Sequence, residues 1–371
     1  MADIKKIWAE NLKEARIKFG FTQHGLAELI GFSEKSISKW EAGGSIPGVE
    51  TLIKLAEIFH TDINSLVKKH STENFYLAID GGGTKTSFVL ADSHGNIIKK
   101  HTEGPSNPID IGIKESKEIL RSGIEVVTKD ISKSNVTMFA GISGGTTGDN
   151  QRLFSDFFSE FGFKKYKNDS DIKNSSALGL GFDDGIIMIM GTGISGFAVI
   201  DGFFKQIGGW GQLFDAGGSG YNLGRDGIYA VLREFDGTGE PTALTEMIEK
   251  RLGRSVKDSL GSIYDGGKKY IASFADLVIS TAEAGDNVAC RIIENNMLEA
   301  AKIINAGLNF IDGKNVKIAF TGGLITKNPQ LFPLIAKHIK SKYTYSMEKI
   351  TDEPVLGALK LAMRLDKTDI V

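Results

Sequence analysis

Three apolar stretches in this chain each run straight into a turn of glycine and hydroxyl residues, a pattern that few folds accommodate three times. The first reads Leu77-Ala78-Ile79-Asp80-Gly81-Gly82-Gly83-Thr84-Lys85-Thr86 and continues into a second apolar stretch, Ser87 to Leu90, which describes a hairpin rather than a strand-to-helix loop. The second runs from Ile186 to Met190 into Gly191-Thr192-Gly193-Ile194-Ser195-Gly196, and the third from Val316 to Phe320 into Thr321-Gly322-Gly323-Leu324. Glycines let backbone N–H groups approach an anion without interference from a Cβ, and the hydroxyls add donors. One such hairpin is a weak sign of phosphate binding. Three in this order are hard to explain as unrelated bends.

The 371 residues, about two-fifths of them hydrophobic, allow two or three domains with a sizeable core. The net charge of −2 gives no global attraction to nucleic acid or membrane, so any DNA contact must come from a local surface. The longest apolar run, Ile186 to Met190, is far too short for a membrane span, and the N-terminus lacks a signal-peptide core. The protein is therefore expected in the cytoplasm, away from membranes. Cys290 is the single cysteine, which rules out an intrachain disulfide, a cysteine-based zinc site and a cluster held by several cysteines of one chain.

Apolar residues recur at helical spacing through Ile7, Leu12, Ala15 and Phe19, then Leu26, Leu29 and Ile30, then Ile37 and Trp40, then Leu52, Leu55, Ala56 and Phe59, with breakers at Gly20, Gly31, Gly43-Gly44 and Pro47-Gly48. This gives four or five short helices. The piece from Thr22-Gln23 through Gly31-Phe32-Ser33 to Trp40-Glu41 resembles the phage-repressor (XRE) helix-turn-helix family, and the likeness extends to Ile46-Pro47 and Thr51 to Ala56. It implies that Glu34, Lys35 and Ser38 meet base edges, that Gln23 contacts the DNA backbone, and that the protein works as a homodimer. Residues 1–70 carry ten Lys/Arg against nine Asp/Glu, so the phosphate attraction is thin, and Gly25 falls inside the first motif helix. The segment Lys68 to Asn74 is polar and short, which keeps the two parts of the chain close together.

From Phe75 onward strands and helices alternate: strands near 76–80, 86–91 and 96–101, a helix near 112–130, a strand near 136–141, a helix near 149–161, and a helix-rich stretch at 240–311. With the three turns, this region resembles the actin-like ATPase fold, and within it the BadF-type group that includes N-acetylglucosamine kinase. Gly208-Gly209-Trp210-Gly211, Gly218-Ser219-Gly220-Tyr221 and Glu353 to Ala358 are further landmarks of the likeness. The fold class it implies is α/β, a duplicated actin-like (ribonuclease H-like) ATPase fold behind a small all-α helix-turn-helix domain. The expected division is 1–69 for the helix-turn-helix, 70–75 for a linker, 76–185 for the first ATPase lobe and 186–371 for the second.

The resemblance implies ATP and Mg²⁺. Asp80, Gly82, Gly83, Thr84, Lys85 and Thr86 would form the first phosphate loop, Gly191, Thr192 and Gly193 the second, and Thr321, Gly322 and Gly323 the adenosine-side turn, with Asp80 also a Mg²⁺-water ligand. Phosphoryl transfer needs a carboxylate beside the acceptor hydroxyl, in a loop before the second phosphate turn. Asp171 and Asp169 both qualify, the first in the family's register before Asn174, the second through its Asn168-Asp169 dipeptide. Asn107, Ser143, Gly144, Gly209, Trp210 and Asp215 would line an amino-sugar site. One departure concerns a carboxylate that acetylhexosamine kinases of this group use on a sugar hydroxyl: its position falls on Ala216, with Asp215 one residue early. A lost hydrogen-bonding partner can cost orders of magnitude in discrimination. With a single cysteine, the iron–sulfur activators of the same group and the zinc-loop sugar regulators of related fold are set aside. Two readings remain: an amino-sugar kinase carrying a DNA-binding domain, or a regulator whose kinase-like half senses a sugar without significant turnover.

Overall fold

The computed structural model describes residues 2–67, 74–313 and 315–367. The N-terminal part is five helices, Ala2–Lys18, Gln23–Ile30, Glu34–Glu41, Val49–Ile58 and Ile63–Val67, closed around Trp8, Leu12, Leu26, Ile37 and Leu55. The turn between the second and third helices is made by Gly31 at φ 77°, which ends one helix, and by Ser33, whose hydroxyl accepts from the Ser36 N–H to begin the next. Thr22 caps the second helix by accepting from Gly25 N at 2.9 Å, so the glycine stands in the first turn with its N–H satisfied by the cap. Glu34, Lys35 and Ser38 are exposed on the third helix while Ile37 and Trp40 are buried beneath them.

Gln23 is placed differently from the expectation. Its Nε2 donates to Glu41 Oε2 at 2.7 Å, and Glu41 also pairs with Arg16 through Nε at 2.6 Å and NH2 at 3.0 Å. The amide therefore ties the motif's two helices together before it can reach outward.

Strand β1 (Phe75–Gly81) begins inside the expected linker, of which residues 70–73 lie outside the described residues. With β2 (Thr86–Ala91), β3 (Ile97–Glu103), β4 (Val136–Ile142) and β5 (Lys165–Asp169) it forms one sheet in the order β3-β2-β1-β4-β5. A second sheet is built from β6 (Gly185–Met190), β7 (Ile194–Ile200), β8 (Phe203–Ile207), β9 (Asn315–Thr321) and β10 (Thr344–Lys349), in the order β10-β9-β6-β7-β8. The two orders are the same pattern: a leading strand, an antiparallel hairpin partner and a third antiparallel strand on one side, two parallel strands on the other. This is the duplicated α/β arrangement that the resemblance implied.

Two helices join the sheets. Ile172–Gly179 leads from β5 to β6, and Gly179 lies so close to Ala319 of β9 that a Cβ on it would come within 2.4 Å of that side chain. The final helix, Pro354–Lys367, crosses Ile172–Gly179 in backbone contact: a Cβ on Gly357 would stand 1.9 Å from the Asn174 carbonyl oxygen. Its Val355, Ala358, Leu359 and Ala362 then pack against Tyr76, Ala78, Val89 and Phe139 of the first sheet. The expected second lobe, 186–371, thus departs from a simple division, because its last helix supplies core to the first sheet.

Candidate active site

The register Gly81↔Thr86 brings β1 and β2 together over a tight turn, closed by the Gly82 N–H donating to the Lys85 carbonyl at 3.0 Å. Gly83, Thr84 and Lys85 are exposed at its tip. Thr86 is not. Fully buried, its hydroxyl donates to Gly104 O at 2.8 Å and lies 2.8 Å from the buried Ser106 hydroxyl, so it is committed to the base of the hairpin instead of a phosphate. Gly81 is glycine for packing, since a Cβ there would fall 2.5 Å from Ser106 Oγ.

Gly191 N donates to Gly193 O at 2.9 Å to close the second turn. Its outward carbonyls receive the start of the helix Gly220–Phe235: Gly220 N donates to Gly191 O at 2.7 Å and Tyr221 N to Thr192 O at 3.1 Å. Because β6 and β9 are parallel neighbours, the third turn comes up beside the second, with Gly323 N 3.6 Å from a Cβ built on Gly191. Gly322, at φ 101°, presses on the Met190 carbonyl, where a Cβ would sit at 2.5 Å. The second and third turns are therefore one surface.

Asp80 ends β1, and Asn174 Nδ2 donates to its Oδ1 at 2.7 Å. Burial, together with the nearby carboxylates of Asp171 and Glu353, pushes the Asp80 carboxyl up to about 6, against the lowering effects of Asn174 and Lys85. Asn174 Oδ1 is buried and has no hydrogen-bond partner among the described residues. Acids crowded together beside an orphaned oxygen are what a hydrated cation would relieve.

The two candidate bases differ. Asp169 is held by Lys173 at 3.3 Å and accepts the Ser170 N–H at 2.8 Å. Asp171 pairs with no cation among the described residues; burial pushes its carboxyl upward, while the Ser170 and Ser143 hydroxyls and the Ile172 N–H donate to it. Ser143 in turn donates its N–H to Gly81 O at 2.7 Å, so Asp171, Ser143 and the first glycine turn form one connected group. Gly144 extends it, lying against Asn107 Oδ1. Asn107 itself caps a short helix, accepting from Ile109 N at 3.0 Å and donating to Asp110 Oδ2 at 2.7 Å.

The last expected sugar contacts, Gly209, Trp210 and Asp215, belong to the loop after β8. Asp215 is spent on that loop, where its oxygens accept the N–H groups of Gly209 and Trp210 at 3.0 Å and Gly211 at 2.9 Å. This corrects the expectation that it faces the sugar: three backbone donors fix it, and Trp210, Leu213 and Phe214 are left exposed around it. No hydrogen bond among the described residues joins this loop to Asn107, Ser143 or Asp171.

A family model settles the relationship. The BadF/BadG/BcrA/BcrD ATPase family matches residues 77–362. The chain belongs to that family. Residues 12–66 match the helix-turn-helix model. This family member is 28% identical over 319 residues to an N-acetyl-D-glucosamine kinase of Dictyostelium discoideum, covering 80% of this chain and all of that one. It is 28% identical over 303 residues to an N-acetylmuramic acid/N-acetylglucosamine kinase of Clostridium acetobutylicum, covering 78% of this chain and 98% of the other. In fold it is similar to a ROK family transcriptional regulator, a homologue of the E. coli MLC protein, with TM-score 0.53, 14% identity, and coverage of 98% of this chain and 96% of the other. Among the described residues no helix is long and apolar enough to cross a membrane.

The shift at Asp80 has a measurable consequence. A carboxyl raised in the fold favours its neutral form there, so the stability it contributes is present below its unfolded value of 3.8 and is lost as pH rises through about 6. At pH 8 the buried charge costs on the order of 1–3 kcal/mol in the nucleotide-free protein. Asp80→Asn, which keeps an acceptor for Asn174, is expected to be more stable than the parent by that amount in urea unfolding at pH 8. The gap should close by pH 4; a gap that stays constant with pH would show that Asp80 is not the titrating group.

Proposed function

We propose that this protein transfers the γ-phosphoryl group of ATP to a hydroxyl of an amino sugar, N-acetylglucosamine being the first candidate, and that the attached helix-turn-helix binds DNA. The observation that carries the reading is Asp171, a carboxylate that pairs with no cation among the described residues and is linked through Ser143 to the first glycine turn. As the acceptor oxygen bonds to phosphorus and the β–γ bridging oxygen leaves with ADP, the hydroxyl proton passes to Asp171. The hairpin turn at Gly82 to Lys85, with its exposed tip at Gly83 to Lys85, and the joined turns at 191–193 and 321–323 are the nucleotide's cradle in this reading. Asp80 fits a Mg²⁺ ion held mainly by phosphates and water, since among the described residues no group of three or more acids or histidines is arranged to hold a metal alone. Bound there, the ion would neutralise the phosphates.

The relatives' sugar chemistry and the 80% coverage support a kinase. A second reading, a cytoplasmic regulator that senses a sugar without significant turnover, is favoured by the loop after β8: Ala216 replaces the expected carboxylate, and Asp215 is held by its own backbone. A coupled assay of ADP release over a panel of amino sugars with Mg²⁺-ATP separates the two. Sugar-dependent release identifies the kinase, and stabilisation by ATP and sugar without release identifies the sensor. A protein that ATP does not stabilise at millimolar concentration would overturn both.

In either reading the DNA-binding unit is a homodimer, because one module covers only a half-site. Ligand can shift DNA affinity only by its differential affinity for two forms of the protein, which sets the expected effect at about 1–3 kcal/mol, or roughly 5- to 150-fold. Fluorescence anisotropy on DNA from upstream of the gene should show such a change on adding the right sugar, and Lys35→Ala should weaken the complex without altering ADP release. Unchanged DNA affinity in a protein that binds both ligands would reduce the linkage to a tether.

A further inference from the structure

The helix-rich insertion between β8 and β9 contains a break that nothing above explains. The segment Val256–Ala272 is interrupted at Gly267, whose φ of 63° and ψ of −163° belong to a region only glycine enters freely. The residue before it is glycine for a different reason: a Cβ on Gly266 would stand 2.5 Å from the Tyr270 ring. Beyond the break, the chain is seated firmly on the helix Gly220–Phe235. A Cβ on Gly224 would stand 1.9 Å from the Ile271 carbonyl oxygen, and one on Gly220 would stand 3.6 Å from Ala272. Gly220 is the residue whose N–H holds the second phosphate turn, so the segment after the break and that turn are fixed to the same helix end.

The first side chain after the break is Lys268. Its ammonium lies 3.1 Å from the position a Cβ would take on Gly193, directly over the second phosphate turn. Lys268 is half-buried and makes no ion pair or hydrogen bond among the described residues. The other lysine near the cleft, Lys85, has Glu353 at 3.9 Å. An unpaired cation held over a glycine turn by a backbone distortion has a charge without a partner, and a polyphosphate is the ligand chemistry that supplies one.

We propose that Lys268 binds the phosphate chain of the nucleotide, and that the Gly266-Gly267 break exists to turn this side chain onto the second phosphate turn. The inference rests on the kinase reading above and adds a nucleotide-binding residue to it. The lysine rides on an insertion packed against the second sheet, so nucleotide binding ties that insertion to the turn.

Binding of ATP, ADP and adenosine to the full chain, measured by calorimetry with Mg²⁺ at low and high salt, tests this without recourse to turnover. Lys268→Met is expected to weaken ATP at least about tenfold, to flatten the salt dependence, and to leave adenosine unchanged; Lys268→Arg should recover most of the ATP affinity. Lys269→Met, at the exposed neighbouring position, should match the parent. ATP binding within twofold of the parent in Lys268→Met would overturn the proposal, as would equal losses for ATP and adenosine, which would mark a packing role. If the parent itself binds no ATP, the kinase reading fails and this inference fails with it; parental ATP binding that Lys268→Met retains overturns the inference alone.

Discussion

Asp171→Asn is expected to lower N-acetylglucosamine-dependent ADP release at least about a hundredfold while the KM for sugar changes far less. Asparagine keeps the shape of the side chain and still accepts from the Ser143 and Ser170 hydroxyls, so the loop and the sugar's surroundings are preserved. What it cannot do is accept the proton, and loss of a positioned base typically costs two to four orders of magnitude, about 3–5 kcal/mol of transition-state stabilisation. The pH profile carries independent information. Burial raises the Asp171 carboxyl from its ordinary value, against the hydrogen bonds that lower it, so the parent's acid limb should lie at higher pH than a free aspartate would give. In the variant that limb should disappear from the residual rate. Asp169→Asn is the counterpart: it breaks the pair with Lys173 and should leave most of the rate. Should Asp169→Asn abolish release while Asp171→Asn retains it, the assignment of the base is reversed.

Glu41→Ala is the second large effect, and it falls on the other end of the chain. Arg16 and Glu41 form a two-pronged pair whose side chains are 12% and 4% exposed, and Gln23 donates to the same carboxylate. Removing the acid leaves a buried guanidinium with only the Phe21 carbonyl, at 2.9 Å, and an amide with no acceptor. A broken buried pair typically costs about 3–5 kcal/mol, comparable to the whole stability of a helical unit of this size. Specific DNA binding should therefore be lost, with the helical signal of the N-terminal unit melting early, while sugar-dependent ADP release is retained. Pairing Arg16→Met with Glu41→Leu should restore much of the stability, because two apolar partners leave no uncompensated charge. Equal melting of Glu41→Ala and the parent would show that the pair contributes little.

The architecture could be read from the sequence where the signal was periodic or repeated. Three small-residue turns marked the ends of β1, β6 and β9, and the apolar spacing of Leu26, Ile30, Ile37 and Trp40 marked the helix-turn-helix. Three of the four edge strands were not visible: β5, β8 and β10 are short and largely polar, with Lys167, Lys205 and Thr344 exposed, so neither run length nor alternation singled them out. At the site, residue types could be read but their commitments could not. Thr86 and Asp215 belong to the right loops, yet one hydroxyl is buried against Ser106 and one carboxylate is consumed by three N–H groups of its own turn. Such assignments depend on local backbone direction, which composition does not carry. Lys268 gave no sign at all, because its position follows from a distorted glycine and from two helix crossings distant in sequence.

Asp366, near the end of the last helix, accepts from Lys164 at 2.8 Å and from the Tyr76 and Thr137 hydroxyls at 3.2 Å. It thereby clamps the entry of β1, the strand that receives the chain from the helix-turn-helix and carries Asp80 at its far end. Six residues of extended chain span about 20 Å, and this one is buried along almost its whole length, so it behaves as a stiff shaft. Asp80 and Phe75 therefore sit at the two ends of one strand held against its parallel neighbour along its whole length, with the Asp366 clamp at the entry. The far C-terminal turn thus acts as the bearing of that shaft. Shortening the chain far enough to remove Asp366 would leave Lys164 and the Tyr76 and Thr137 hydroxyls without this shared acceptor at the entry of β1, while leaving the three glycine turns in place.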